Sequence, residues 1–196
     1  MAKNKTKSTF NLLITALVIS LVLTISLAPM MRILYPLMYE DEIIRISEKY
    51  SLDKYLVMGI ISAESNFREE AVSHKSAIGL MQLKEETAKW CIDALGADVN
   101  GEDISEPVVN IELGSAYISY LLDRYGNDIH TAVAAFNAGP GNTEKWLSDV
   151  RYSRDGKTLS KIPFSETESY VGKVEKRSKI YSLLYPADGF EKSAQK

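Results

Sequence analysis

The chain has 196 residues, 45% of them hydrophobic, enough to bury one good core and not obviously two. Its only charged side chains before Glu40 are Lys3, Lys5, Lys7 and Arg32, so 19 of the 23 basic residues face all 26 acidic ones from Glu40 onward, a formal net charge of −7 there. An acidic domain without a basic stripe interleaved with aromatics argues against a nucleic-acid partner, and the single cysteine, Cys91, excludes an intramolecular disulfide and reads as a small core residue.

In chain order, residues 1–9 carry the lysines. "FNLLITALVISLVLTISLAPMM", 10–31, then runs 22 positions without a charge. That length crosses a hydrocarbon core of about 30 Å as a helix, and the preceding lysines put 1–9 on the cytoplasmic side and the remainder outside. The competing reading is a cleaved signal peptide, whose apolar region normally spans about 7–15 residues and ends in an A-x-A-like site. Here the run is longer, and the small-residue site "SLA" is followed directly by Pro29. A retained single-pass anchor is therefore the expectation, with a linker at 32–39 broken by Pro36.

Amphipathic helical patterns follow at about 40–50, 53–66, 84–94, 107–125, 128–138, 142–150 and 166–184. The stretch 150–162 reads as a polar hairpin or loop about Asp155-Gly156. The tail 187–196 is polar and expected to fray. The class is mainly α, with one domain over 40–186. Neither His74 nor His130 has a partner at metal-ligand spacing, so no metal or other cofactor is expected; His74 reads as a solvated loop residue.

Four segments break their local pattern. In "IISAESNF" the carboxylate of Glu64 falls at the margin of an apolar face built from Val57, Ile60 and Ile61, where an unpaired charge costs several kcal/mol. "SHKSAIGLMQL", Ser73 to Leu83, is a loop with Gly79 before Leu80, Met81 and Gln82. "AAFNAGPGN" stops a helix, with Gly139 able to take a left-handed cap and Pro140 forbidding continuation. "ETESY", Glu166 to Tyr170, opens the last helix. Singly, each has an ordinary structural explanation.

Together and in this order, "ESNFREEAVSHKSAIGLMQL", "NIELGSAYISYLL", "AVAAFNAGPGNTEKWL" and "ETESYVGKV" resemble the catalytic domain of lytic transglycosylases of the soluble-lytic-transglycosylase type. The resemblance covers about residues 36–185 and implies an α-rich, lysozyme-like (goose-type) fold. It implies that Glu64 protonates the glycosidic oxygen between N-acetylmuramic acid and N-acetylglucosamine in peptidoglycan. The same carboxylate would then take a proton from the muramic acid 6-hydroxyl, closing a 1,6-anhydro ring. Such a donor needs a pKa lifted to about 6–7, which half-burial supplies.

By the same resemblance, Ser73 bonds near the acid or the substrate, Met81 and Gln82 line the cleft, and Asn137 and Ala138 meet acetamido arms. Glu166 contacts sugar, and Tyr170 bonds close to the acid. Phe136 stands where the family usually has tyrosine, Ser76 replaces a glycine and Glu85 a common proline. The implied partner is the peptidoglycan glycan strand, met by a monomer at the outer face of the cell membrane. A water-using muramidase of the same fold and a wall-binding module without turnover are the alternatives; the intact Glu64, Gln82, Asn137 and Tyr170 weigh against the second.

Overall fold

The computed structural model describes residues 14, 15, 17, 18, 20, 27, 29–97, 99 and 103–186, in two units, Met1–Pro36 and Leu37–Lys196. In the first unit the described residues up to Leu34 are helical, and Leu17 (71% exposed) and Ile33 (80%) leave apolar side chains uncovered. Among the described residues no helix is long and apolar enough to cross a membrane. Most of the 10–31 run, like the expected tails 1–9 and 187–196, lies outside the described residues.

The second unit is built from helices α1 (Glu40–Lys49), α2 (Lys54–Glu64), α3 (Glu85–Leu95), α4 (Pro107–Arg124), α5 (Ile129–Ala138), α6 (Pro140–Leu147) and α7 (Ser165–Leu184). Local chemistry sets their ends. Asp53 caps α2 by accepting from the Tyr55 N–H (2.8 Å), and Asp128 caps α5 by accepting from the Thr131 N–H (2.8 Å). Pro107 begins α4, where its missing N–H is not needed.

Pro140 does the same for α6, which starts two residues earlier than the sequence pattern predicts. Proline ends α5 and opens the next helix. Between them Gly139 sits at φ 83°, ψ 149°, a region essentially restricted to glycine, rather than in the expected left-handed cap.

The central helices depart from the expected one-sided pattern. Every residue of α2 from Leu56 to Ala63 is buried, as are Val109 to Ile118 of α4 and Thr131 to Ala135 of α5. α2 packs against α1 and α7, and α5 against α4, α6 and α7, so neither central helix has a free side to make polar. The one carboxylate that enters this core on α4 is paired. Glu112 of α4 accepts from Lys49 (2.5 Å) and from the Tyr50 hydroxyl (2.7 Å), tying α4 to the end of α1. Cys91 is fully buried on α3, and burial pushes its thiol up to about 12.

The segment 150–162 contains no strand and closes as turns. Asp155 accepts from the N–H groups of Lys157 and Thr158 (both 2.8 Å), bonds that hold its carboxyl well below the usual carboxylate range and close turns rather than a hairpin ladder.

Candidate active site

Glu64 is the last residue of α2. Beyond it Asn66 (φ 53°) and Phe67 (φ 62°) are successive left-handed residues. Asparagine tolerates that conformation, whereas a bulky residue there costs of order 1–3 kcal/mol. Phe67 is held in it by burial, with its ring centroid 5.8 Å from that of Tyr181. This turn directs the chain into the loop 68–83, which forms one wall of an open cleft of roughly 540 Å³.

The loop is shaped by its own bonds and by one asparagine. Val72 bridges Ile78, and Ile78 bridges Leu83. Asn110 of α4, fully buried, donates to the carbonyls of Ile78 (3.1 Å) and Ile104 (2.9 Å) and accepts from the Met81 N–H (2.7 Å). Gly79 lies against that side chain. A Cβ there would come within 2.5 Å of Asn110 Nδ2, and its φ of 78° also favours glycine. The "IGLMQ" glycine is thus required by an amide 31 positions further along.

Glu64, Ser73, Gln82, Phe136, Asn137, Ala138 and Glu166, all expected at the site, line this cleft together. Ser73 Oγ accepts from the N–H groups of Lys75 (3.2 Å) and Ala77 (3.0 Å), which occupies both lone pairs and leaves its proton to donate. Asn137 Oδ1 accepts from the Thr167 hydroxyl (2.8 Å), turning its amide NH2 into the group that can serve a ligand. Gln82 donates through Nε2 to the carbonyls of Ala71 (2.7 Å) and Gly79 (2.9 Å), so it braces the loop while its amide oxygen remains an acceptor. Glu166 is exposed and pairs with Lys75 (3.5 Å).

Two expected residues lie behind the surface. Met81 is fully buried and does not line the cleft; it fills the space at Gly114, where a Cβ would fall 2.3 Å from its sulfur. Its expected place in the lining is corrected accordingly: the Asn110 bond to its N–H draws that part of the loop into the core. Tyr170 is also enclosed; its hydroxyl meets no group at full hydrogen-bond geometry, and Glu64 is the ionisable group it faces. Burial and that neighbouring carboxyl push its phenol well above 10.0.

Glu64 itself is half-buried, and its pKa is raised from the ordinary 4.5 to about 7. Loss of solvation is the main cause; the Tyr170 hydroxyl and the Lys173 cation pull it part of the way back. Such a carboxyl can hold a proton near neutrality and release it into the cleft. Sequence reasoning missed His74, Lys75 and Lys84, which give one cleft lip a basic character, and Phe164, an exposed aromatic on the lining. The signal available was position: the first two lie inside the loop between Glu64 and Gln82.

A helical domain with a half-buried acid lining an open, polar cleft is the lysozyme-like arrangement. The chain belongs to the Transglycosylase SLT domain family, which matches residues 41–159.

Among its relatives, the soluble lytic murein transglycosylase of Salmonella typhimurium is 34% identical over 143 residues, covering 71% of this chain and 22% of that protein. The membrane-bound lytic murein transglycosylase C of Glaesserella parasuis is 30% identical, covering 70% and 44%. Among solved structures, an inactive mutant of the lytic transglycosylase Slt from Pseudomonas aeruginosa superposes with a TM-score of 0.67 at 32% identity, over 76% of this chain and 24% of that one. The 70 kDa soluble lytic transglycosylase of Escherichia coli gives 0.68 at 27% identity, over 78% and 25%. The chain thus spans less than half the length of these relatives.

Proposed function

We propose that this chain is a peptidoglycan lytic transglycosylase that cuts the β-1,4 bond between N-acetylmuramic acid and N-acetylglucosamine and leaves a 1,6-anhydro end. The observation that carries this reading is Glu64, a half-buried carboxyl at about 7 opening on the cleft. Protonated, it donates to the leaving glycosidic oxygen; the resulting carboxylate accepts the proton of the muramic acid 6-hydroxyl as that oxygen closes on the anomeric carbon. The other carboxyl on the lining, Glu166, is exposed and paired with Lys75, which suits sugar contact better than nucleophilic attack. Ser73, Gln82 and Asn137 hold the sugars through the hydrogen-bonding groups described above, Ala138 meets them through its backbone, and Tyr170 steadies the acid from behind.

The site of action is the outer face of the cell membrane, with the chain a monomer held by residues 10–31. The charge-free run, the lysines before it and a relative named as membrane-bound support this placement. Mass analysis of products from purified glycan strands tests the reaction. Anhydro-muropeptides from the parent and loss of cleavage by at least about 10²-fold in Glu64→Gln are expected. Reducing-end products one water heavier would make the enzyme a muramidase, and absence of cleavage by the parent would make it a wall-binding module.

A further inference from the structure

The last turn of α2 is held from outside by α7. An α-helix leaves its final carbonyls without intrahelical donors, at the negative end of its dipole, and basic residues there are favourable. α2 has no basic residue in its own last turn. On α7, Tyr170, Lys173 and Arg177 recur at helical spacing and so share one face. Tyr170 faces Glu64; Lys173 Nζ donates to the carbonyl of Ala63, the residue before Glu64; Arg177 donates to the carbonyl of Ser62, to Ser62 Oγ (2.7 Å) and to Asn66 Oδ1 (3.3 Å). Gly59 permits the close approach, since a Cβ there would lie 2.1 Å from Ser178 Oγ of α7.

We propose that Lys173 is a positioning residue for the acid: it pins the last turn of α2 through the Ala63 carbonyl, and its cation sets the pH range over which Glu64 keeps its proton. The inference rests on the reading of Glu64 as the general acid. A cation beside a carboxyl favours the ionised form, opposing the burial that favours the protonated one. From α7, Glu64 is faced by Tyr170 and Lys173, with Arg177 one turn beyond. The other ionisable groups on the cleft are His74, Lys75 and Lys84 of the loop side, Tyr117 of α4 and Glu166 at the start of α7. Lys173 differs from these in touching the backbone that carries the acid.

The test is the pH profile of kcat/KM of the full chain on purified glycan strands, whose alkaline limb follows deprotonation of the acid. Lys173→Gln keeps an N–H donor for the Ala63 carbonyl and deletes the charge. Its limb is expected to move to higher pH by about half a unit or more. Lys173→Arg, which keeps the charge, returns the limb to the parent's position. Lys173→Leu, lacking donor and charge, shifts the limb and also lowers kcat without a matching rise in KM. A Lys173→Gln limb that coincides with the parent's overturns the proposal, as does a Lys173→Gln chain that fails to fold, which makes the lysine merely structural. Failure of the general-acid reading is separate and appears as cleavage retained in Glu64→Gln.

Discussion

Glu64→Gln should stabilise the protein, and by an amount that depends on pH. Below about 4.5 the carboxyl is protonated in the folded and unfolded chain alike, so its titration contributes no difference. Between 4.5 and about 7 the unfolded chain has released the proton while the folded one retains it. Stability therefore falls as pH rises through this window and levels off above the folded value. The gap between 4.5 and about 7 corresponds, at about 1.4 kcal/mol per unit, to about 3 kcal/mol. Glutamine does not titrate, so its advantage over the parent should grow by that amount between pH 4 and pH 8. For a domain of this size that is a rise of roughly 6–12 °C in relative Tm. Paired thermal melts of parent and variant at both pH values measure it, because titrating groups that do not interact with Glu64 cancel in the difference. A Tm difference that is the same at pH 4 and pH 8 would refute the burial of Glu64 as the origin of its raised pKa.

Four further substitutions test the cleft wall. Asn137→Ala opens no cavity but takes the acceptor from the buried Thr167 hydroxyl, and should lower Tm by about 2–4 °C while activity falls; Gln82→Ala deletes two bonds to backbone carbonyls and should lose about 1–2 kcal/mol in denaturant titration as well as activity. Gly79→Ala drives a methyl into Asn110 at a left-handed φ, and should cost about 2 kcal/mol or more and speed proteolysis within 68–83. Ser76 is left-handed (φ 59°), a conformation glycine adopts without steric cost, so Ser76→Gly should relieve about 1 kcal/mol of strain, offset in part by backbone entropy, and raise Tm by about 1–2 °C.

What the sequence made legible was whatever depends on neighbours a few positions away. Helical period located α1 to α7 to within a few residues, and the anomaly of Glu64 could be seen from Val57, Ile60 and Ile61 alone. What depends on distant partners was hidden. Met81 reads as a cleft residue beside Gln82, yet its depth is decided by Asn110 and Gly114 on α4. Gln82 reads as a sugar contact, and its bracing role needs the carbonyls of Ala71 and Gly79 to be turned toward it. Lys173 and Arg177 look like the solvated face of α7; their acceptors are main-chain carbonyls about 110 positions earlier, which no side-chain pattern records. The all-round burial of α2 escaped for the same reason, since the covering helices come from both ends of the domain.

The position of the acid along α2 follows from two demands that pull in opposite directions. A proton donor near neutrality needs enough burial to resist ionisation, and it needs an opening through which the proton can leave. Any site from Leu56 to Ala63 meets the first demand and fails the second, because those residues are closed on all sides. Asn66 and Arg68, just beyond the helix, are exposed and fail the first. Glu64 is half-buried at the boundary, backed by Tyr170 and open to the cleft. A helix end is also where unpartnered carbonyls gather, and their negative potential adds to the cost of an ionised carboxyl. Donors from α7 to Ser62 and Ala63 satisfy those carbonyls without covering the acid, so the same packing that buries α2 leaves its last residue available for chemistry.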